Sequence, residues 1–200
     1  KAGFQDSFER RETMMPIVNE NDPRVKRTRE LIIKALISVA NRKGFDSITI
    51  KDITSEATIN RATFYAHFSD KYELLNYLIR KNFLDILQPK IEASKNLDRS
   101  VYRLLLCGIC EYFEDVKATC RRGFESILPL MGEIITAELF TIILNRLENG
   151  STDPEQHKKR LELKATMISS CMFSAIFSWE KQGRPIAQDA VIEEILTFID

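Results

Sequence analysis

Within the run INRATFYAHF, positions 59–68, several side chains have the chemistry to touch a nucleic acid. Arg61 can donate two hydrogen bonds to a guanine edge or grip a phosphate. Thr63, Tyr65 and His67 carry donors suited to phosphate oxygens. Ala62 is small enough to let a backbone approach base edges closely. Asn60, ahead of them, has the side chain of a helix cap. At helical spacing Phe64 and Phe68 share one face and read as an inward anchor, while Arg61 and Tyr65 share a neighbouring face. The plainer alternative is an ordinary surface helix, with His67 equally suited to a hydrogen-bonded structural role.

Such a helix needs elements to hold it. Asp22-Pro23 reads as a cap followed by proline at a first helical position, and the helix after it runs towards Gly44. Thr49 caps a short helix, with Asp52 three residues on as in a capping box. A tight link at Thr58-Ile59 leads to Asn60 and the second short helix. Ser69-Asp70 caps a longer one, with Glu73 behind it. Two short capped helices joined by a three-residue turn make a helix-turn-helix, in which the second helix offers its outer edge to a major groove. The capped starts at Thr49 and Asp70 expose amide groups that favour phosphate, and Lys71 adds charge. With Arg27 from the first helix, the expected DNA contacts are Arg27, Thr49, Asn60, Arg61, Ala62, Thr63, Tyr65, His67 and Lys71.

The charge distribution agrees. The 200 residues have no formal net charge, but Asp22 to Tyr72 holds ten Lys or Arg against six Asp or Glu, leaving +4 there and −4 elsewhere. A solvated face would give the same asymmetry, so charge alone decides nothing.

The residues from Arg27 to Leu75 carry a resemblance. GFDSITIKDI, the A-x-I-N-R-A-T-F-Y-A-H-F core and F-S-D-K-Y-E-L-L, in that order, are similar to the N-terminal domain of the TetR family of bacterial transcriptional regulators. The resemblance implies a three-helix DNA-binding head on a helical body that binds ligand and dimerises. Two positions depart from it. Thr58 stands where the family often has glycine, and a β-branched residue resists positive φ, which predicts a different turn geometry. Ala62 also stands where glycine is common, so the bases read there would differ.

The rest of the chain reads as helices at about 98–117, 123–128, 131–147, 153–182 and 187 onwards, with Pro129 ending one of them. Leu161, Ala165, Ile168, Met172, Ala175 and Trp179 follow a heptad seam. With Ile192, Ile195 and Ile199 they are the expected dimer interface, packing within one chain being the alternative. Leu105, Phe113, Phe124, Met131, Ile135 and Phe173 would line an apolar ligand pocket, and any core would use the same residues. Cys107 and Cys110 are spaced C-x-x-C but lack metal-binding companions, and read as small buried hydrophobes. Cys120, before Arg121-Arg122, has the setting of a low-pKa thiol, though burial is the commoner role.

No phosphate-binding glycine loop, HExxH or nucleophile elbow is present, which argues against an enzyme. No apolar run reaches membrane-spanning length. Four cysteines do not suggest a secreted framework, and a reducing cytoplasm is the expected setting. The domains read as 1–21, a tag or disordered arm with the native start at Met14 or Met15; 22–70, the DNA-binding head; and 71–200, the ligand-binding and dimerisation body. The expectation is an all-α, homodimeric regulator, a repressor rather than an activator. It would bind a palindromic double-stranded operator, need no cofactor or metal, respond to a small apolar effector and have no membrane association. The competing class is a helical scaffold whose helix-turn-helix is purely structural.

Overall fold

The computed structural model describes residues 22–92, 94, 96–120, 124–151 and 154–199. The reading of 1–21 as a tag or arm lies outside them. The described residues form eight α-helices and a short 3-10 turn, with no strand. They divide into two compact units, one ending at Leu74 and the other beginning at Leu75.

In the first unit, α1 spans Pro23–Ala40. Asp22 opens it by accepting the Arg24 amide at 2.8 Å, and proline occupies the first position, where no amide is needed. Its buried stripe is Ile32, Ala35, Leu36, Val39 and Ala40. A 3-10 turn at Phe45–Ser47 leads to α2, Ile50–Glu56, and α3, Arg61–Tyr65. Phe45, Ile53, Phe64 and Leu74 complete a core with almost no exposed surface. α4, Lys71–Ile91, begins in the first unit and continues into the second.

The second unit adds α5 (Arg99–Thr119), α6 (Phe124–Asn149), α7 (Pro154–Lys181) and α8 (Gln188–Ile199). Its most extensive packing joins α6 to α7. Ion pairs tie helix to helix: Arg80–Glu138 and Lys90–Glu111 from α4, and Arg99–Glu193 between α5 and α8, each at 2.8 Å. The turn after α7 places Gly183 and Arg184 at φ 76° and 59°. There the Arg184 guanidinium meets Glu180 and Glu114 and lies over the Trp179 ring.

Four expectations change. Pro129 does not end a helix; it lies inside α6, and the two expected helices are one. Ile127–Asn149 is long and apolar enough to cross a membrane by length and composition, contrary to the sequence reading. In this fold Met131, Ile135, Leu139 and Ile143, each four apart, are wholly buried, as on a core helix.

The expected dimer seam is largely internal. Ala165 and Met172 of α7 and Ile192 of α8 have no exposed surface, and Ile168, Trp179 and Ile195 have almost none, while Leu161, Ala175 and Ile199 are half-buried. The surroundings of the most buried of these are filled by their own chain, while Leu161, Ile168 and Ile199 also line an open groove of the second unit. The expected pocket residues Leu105, Phe113, Met131, Ile135 and Phe173 are likewise buried core. Phe113 lies 6.0 Å from Phe173 and 6.3 Å from Phe177, ring centre to ring centre, and packs there as core aromatics do. The side chain of Phe124 lies outside the described residues.

Candidate nucleic-acid interface

The interface is built from caps upward. At α2 the Thr49 hydroxyl accepts the Asp52 amide at 3.2 Å, and the Asp52 carboxylate accepts the Thr49 amide at 2.8 Å, so two otherwise orphaned amides are satisfied reciprocally. Lys43 reaches the same carboxylate at 2.6 Å. Lys43 first, then the Thr49 hydroxyl and amide, hold the Asp52 carboxyl well below the usual range. At the other end of α2, the Ser38 hydroxyl donates to Glu56 at 2.7 Å and Arg42 bridges it at 2.5 Å. Arg42, then Ser38, lower the Glu56 pKa. α2 is thereby pinned to α1 and the residues after it at both ends.

Between α2 and α3 the chain makes a Schellman turn: the Ile59 amide donates to Thr54 O at 3.0 Å and the Thr58 amide to Ser55 O at 3.3 Å. The residue between must be left-handed, and Thr58 is, at φ 54°. The expected change of turn geometry does not occur; threonine takes the glycine-like conformation. Asn60 then opens α3, its Oδ1 accepting the Thr63 amide at 2.7 Å and the Thr63 hydroxyl at 3.0 Å.

α3 has five residues, too few to hold by itself. Phe64 anchors it, wholly buried, with its ring 6.1 Å from that of buried Phe68. The opposite edge is open. Arg61 and Ala62 are exposed, Thr63 is half-buried, and Tyr65 is 49% exposed. Arg27 is also exposed, on α1. An exposed edge with a forked cation, a small residue and a phenol on a helix held from behind has the means to enter a groove.

Two expected contacts have other positions. His67 is buried, and its Nδ1 finds no hydrogen-bond partner among the described residues. Burial, then the nearby Arg29 charge, push its pKa below the ordinary imidazole value. Burial and the lowered pKa both disfavour the charged ring that would hold a phosphate most strongly. Lys71 turns inward: its ammonium donates to the carbonyls of Phe45, Asp46 and Ile48 at 3.0, 2.9 and 3.0 Å, which uses all three donors. No local pattern in the sequence marks this, because its acceptors are backbone atoms more than twenty residues away. In the second unit, burial pushes the Cys110 thiol up to about 12, and Cys120 is buried. Arg121 and Arg122, on which the redox reading of Cys120 relied, lie outside the described residues.

Comparison with known proteins agrees with this geometry. Residues 32–78 match the family model described as bacterial regulatory proteins, tetR family. The chain is 45% identical over 186 residues to YxbF of Bacillus subtilis strain 168, described as an uncharacterized HTH-type transcriptional regulator; the match takes in 90% of this chain and 46% of that protein. The chain therefore spans less than half of that relative's length. Among solved structures, a TetR transcriptional regulator from Streptococcus agalactiae 2603V aligns with a TM-score of 0.60 at 20% identity, covering 88% of this chain and 96% of the other. RolR, solved in complex with resorcinol, aligns at 0.54 and 16%, covering 88% of each. At such identities the likeness concerns the fold, and the all-α architecture is the one these regulators share. Residues 32–78 therefore match the TetR-family helix-turn-helix model, and the chain as a whole is similar in fold to these regulators.

Proposed function

We propose that the protein is a DNA-binding transcriptional regulator that reads a palindromic operator as a homodimer. The observation that carries this reading is the open edge of α3, where Arg61, Ala62 and Tyr65 are exposed on a helix anchored by Phe64 and capped by Asn60. Arg61 is the base reader. Arg27, Thr63 and Tyr65 reach phosphates, and the capped start of α2 at Thr49 offers amides to another phosphate. The head is residues 22–70 and the body 71–200. We read the activity as repression, because a bound dimer blocks DNA by occupancy alone, whereas activation needs a further surface for the transcription machinery. The DNA-bound role places the protein in the cytoplasm.

The second copy covers a groove of about 620 Å³ in the second unit, whose lining includes Leu147, Leu161, Met167, Ile168 and Ile199. Beside and within it, Leu163, Met167 and Phe198 are 61%, 64% and 79% exposed, more apolar surface than a lone chain leaves in one place without use. The body also takes a small apolar effector, in keeping with a fold that in RolR holds resorcinol. An effector that favours one state of the dimer lowers operator affinity by its differential affinity for that state.

Sequencing DNA fragments enriched by the purified protein tests the reading. A recurrent inverted repeat is the expected result, followed by compounds that raise the melting temperature and release that DNA in linked amounts. A folded protein that enriches no sequence would be a scaffold.

A further inference from the structure

We infer that Lys71 is a positioning residue that staples the two ends of the helix-turn-helix together; the inference rests on the DNA-reading assignment above. The backbone of Lys71 is fixed first. Asp70 Oδ1 accepts the Tyr72 and Glu73 amides at 2.8 Å each, and Glu73 accepts the Ser69 amide at 2.5 Å, so the first turn of α4 is capped on both sides. From this anchored start the side chain runs back to the segment before α2. Its Nζ lies within 3.0 Å of Phe45 O, Asp46 O and Ile48 O, and 4.9 and 5.3 Å from the ring centres of Phe45 and Tyr72.

Ile48 directly precedes the Thr49 cap, and Lys71 follows the turn after α3. The whole reading element, from Thr49 to Tyr65, lies inside the loop that this ammonium closes. Three convergent carbonyls make a site for a compact cation with three donors. A planar guanidinium directs its donors into a fork and cannot meet three oxygens converging on one point. The staple sets the spacing between the start of α2 and the exit of α3, and therefore where Arg61 stands relative to the α2 amides. Losing one well-placed base contact weakens binding by roughly tenfold or more.

The test uses Lys71→Met and Lys71→Arg, with anisotropy on the fragment enriched by the wild type, across a salt series. It is run at a temperature where circular dichroism shows each protein fully folded. The expected result is a loss of about tenfold or more in both variants with the salt slope of the wild type. If Lys71 instead grips phosphate, Lys71→Arg binds normally and Lys71→Met shows a slope shallower by about 0.9, which overturns the inference. Folded variants with wild-type affinity also overturn it, leaving Lys71 a stabilising residue alone. If Lys71→Met does not fold, Lys71→Arg decides by the same two criteria. A wild-type protein that enriches no DNA overturns the DNA-reading assignment itself, and the staple's role in reading falls with it.

Discussion

Thr58 shows how far a single residue can be read. Its β-branched side chain argues against positive φ, yet it adopts φ 54° because the Schellman hydrogen bonds on either side determine the turn. The strain remains, at about 1–2 kcal/mol for a non-glycine residue in this region. Thr58→Gly should therefore raise the stability of the first unit by about 1 kcal/mol, several degrees in melting temperature for a unit this small. A lower melting temperature would show that Thr58 makes a compensating contact. His67 was legible as a titratable group but not as a buried one, since its exposure depends on how the turn after α3 folds. Its pKa is lowered in the folded protein, so the unfolded chain binds the proton more readily. Stability is then full above the ordinary imidazole pKa of about 6.5 and falls as pH drops below it. Melting curves across this range should show the fall, and His67→Gln should lessen it; an unchanged pH profile would clear His67 of the role. Arg61 is legible in both type and exposure. Arg61→Ala should cost about 1–3 kcal/mol on the operator and relax preference at one base pair, as selection of bound sequences would reveal. Equal loss on all sequences would make it a phosphate contact.

Helix starts were legible because caps are local chemistry: Asp22, Thr49, Asn60 and Asp98 each accept an amide two or three residues on. Helix ends and faces were less so. Pro129 reads as a stop, but α6 continues through it, with Ile127 and Met131 buried on either side, and packing outweighs one lost backbone hydrogen bond. Glycines inside helices are similarly opaque until neighbours are known. Gly108 of α5 is such a case: an added Cβ would fall 2.2 Å from Leu87 Cδ2, and Leu87 of α4 is wholly buried. A wholly buried leucine must change rotamer among its neighbours or α4 and α5 must move apart. Gly108→Ala should destabilise the second unit by about 1–3 kcal/mol, measured by urea denaturation, despite the better helix propensity of alanine. A neutral or stabilising result would mean that Leu87 finds another rotamer.

At the scale of the whole molecule, a heptad spacing states that a helix has an apolar seam and is silent about which chain fills it. For α7 the answer is its own: Ala165, Ile168, Met172 and Trp179 are buried in the single chain. The surface left for a partner is the groove that exposes Leu163, Met167 and Phe198, none of which the heptad reading selected, with Leu161, Ile168 and Ile199 of the expected interface lining it less exposed. The two sets of residues respond differently to a charge. Ile168→Asp places an unpaired carboxylate at a buried position beneath the groove, at a cost of several kcal/mol, and should destabilise the second unit as well as any dimer. Met167→Asp with Phe198→Asp changes side chains that face solvent in the monomer, so the fold should persist. In the dimer the same carboxylates would be buried against apolar surface, and association should fail. Two heads reach successive major grooves only if held about 34–36 Å apart or a multiple of it, so the monomer should also lose cooperative binding to the inverted repeat while keeping weak half-site affinity. Light scattering with circular dichroism distinguishes the outcomes. A folded monomer from the double variant supports this placement of the partner. A double variant that remains dimeric moves the interface elsewhere on the body, and a wild-type chain that is monomeric at micromolar concentration removes the dimer and, with it, the palindrome.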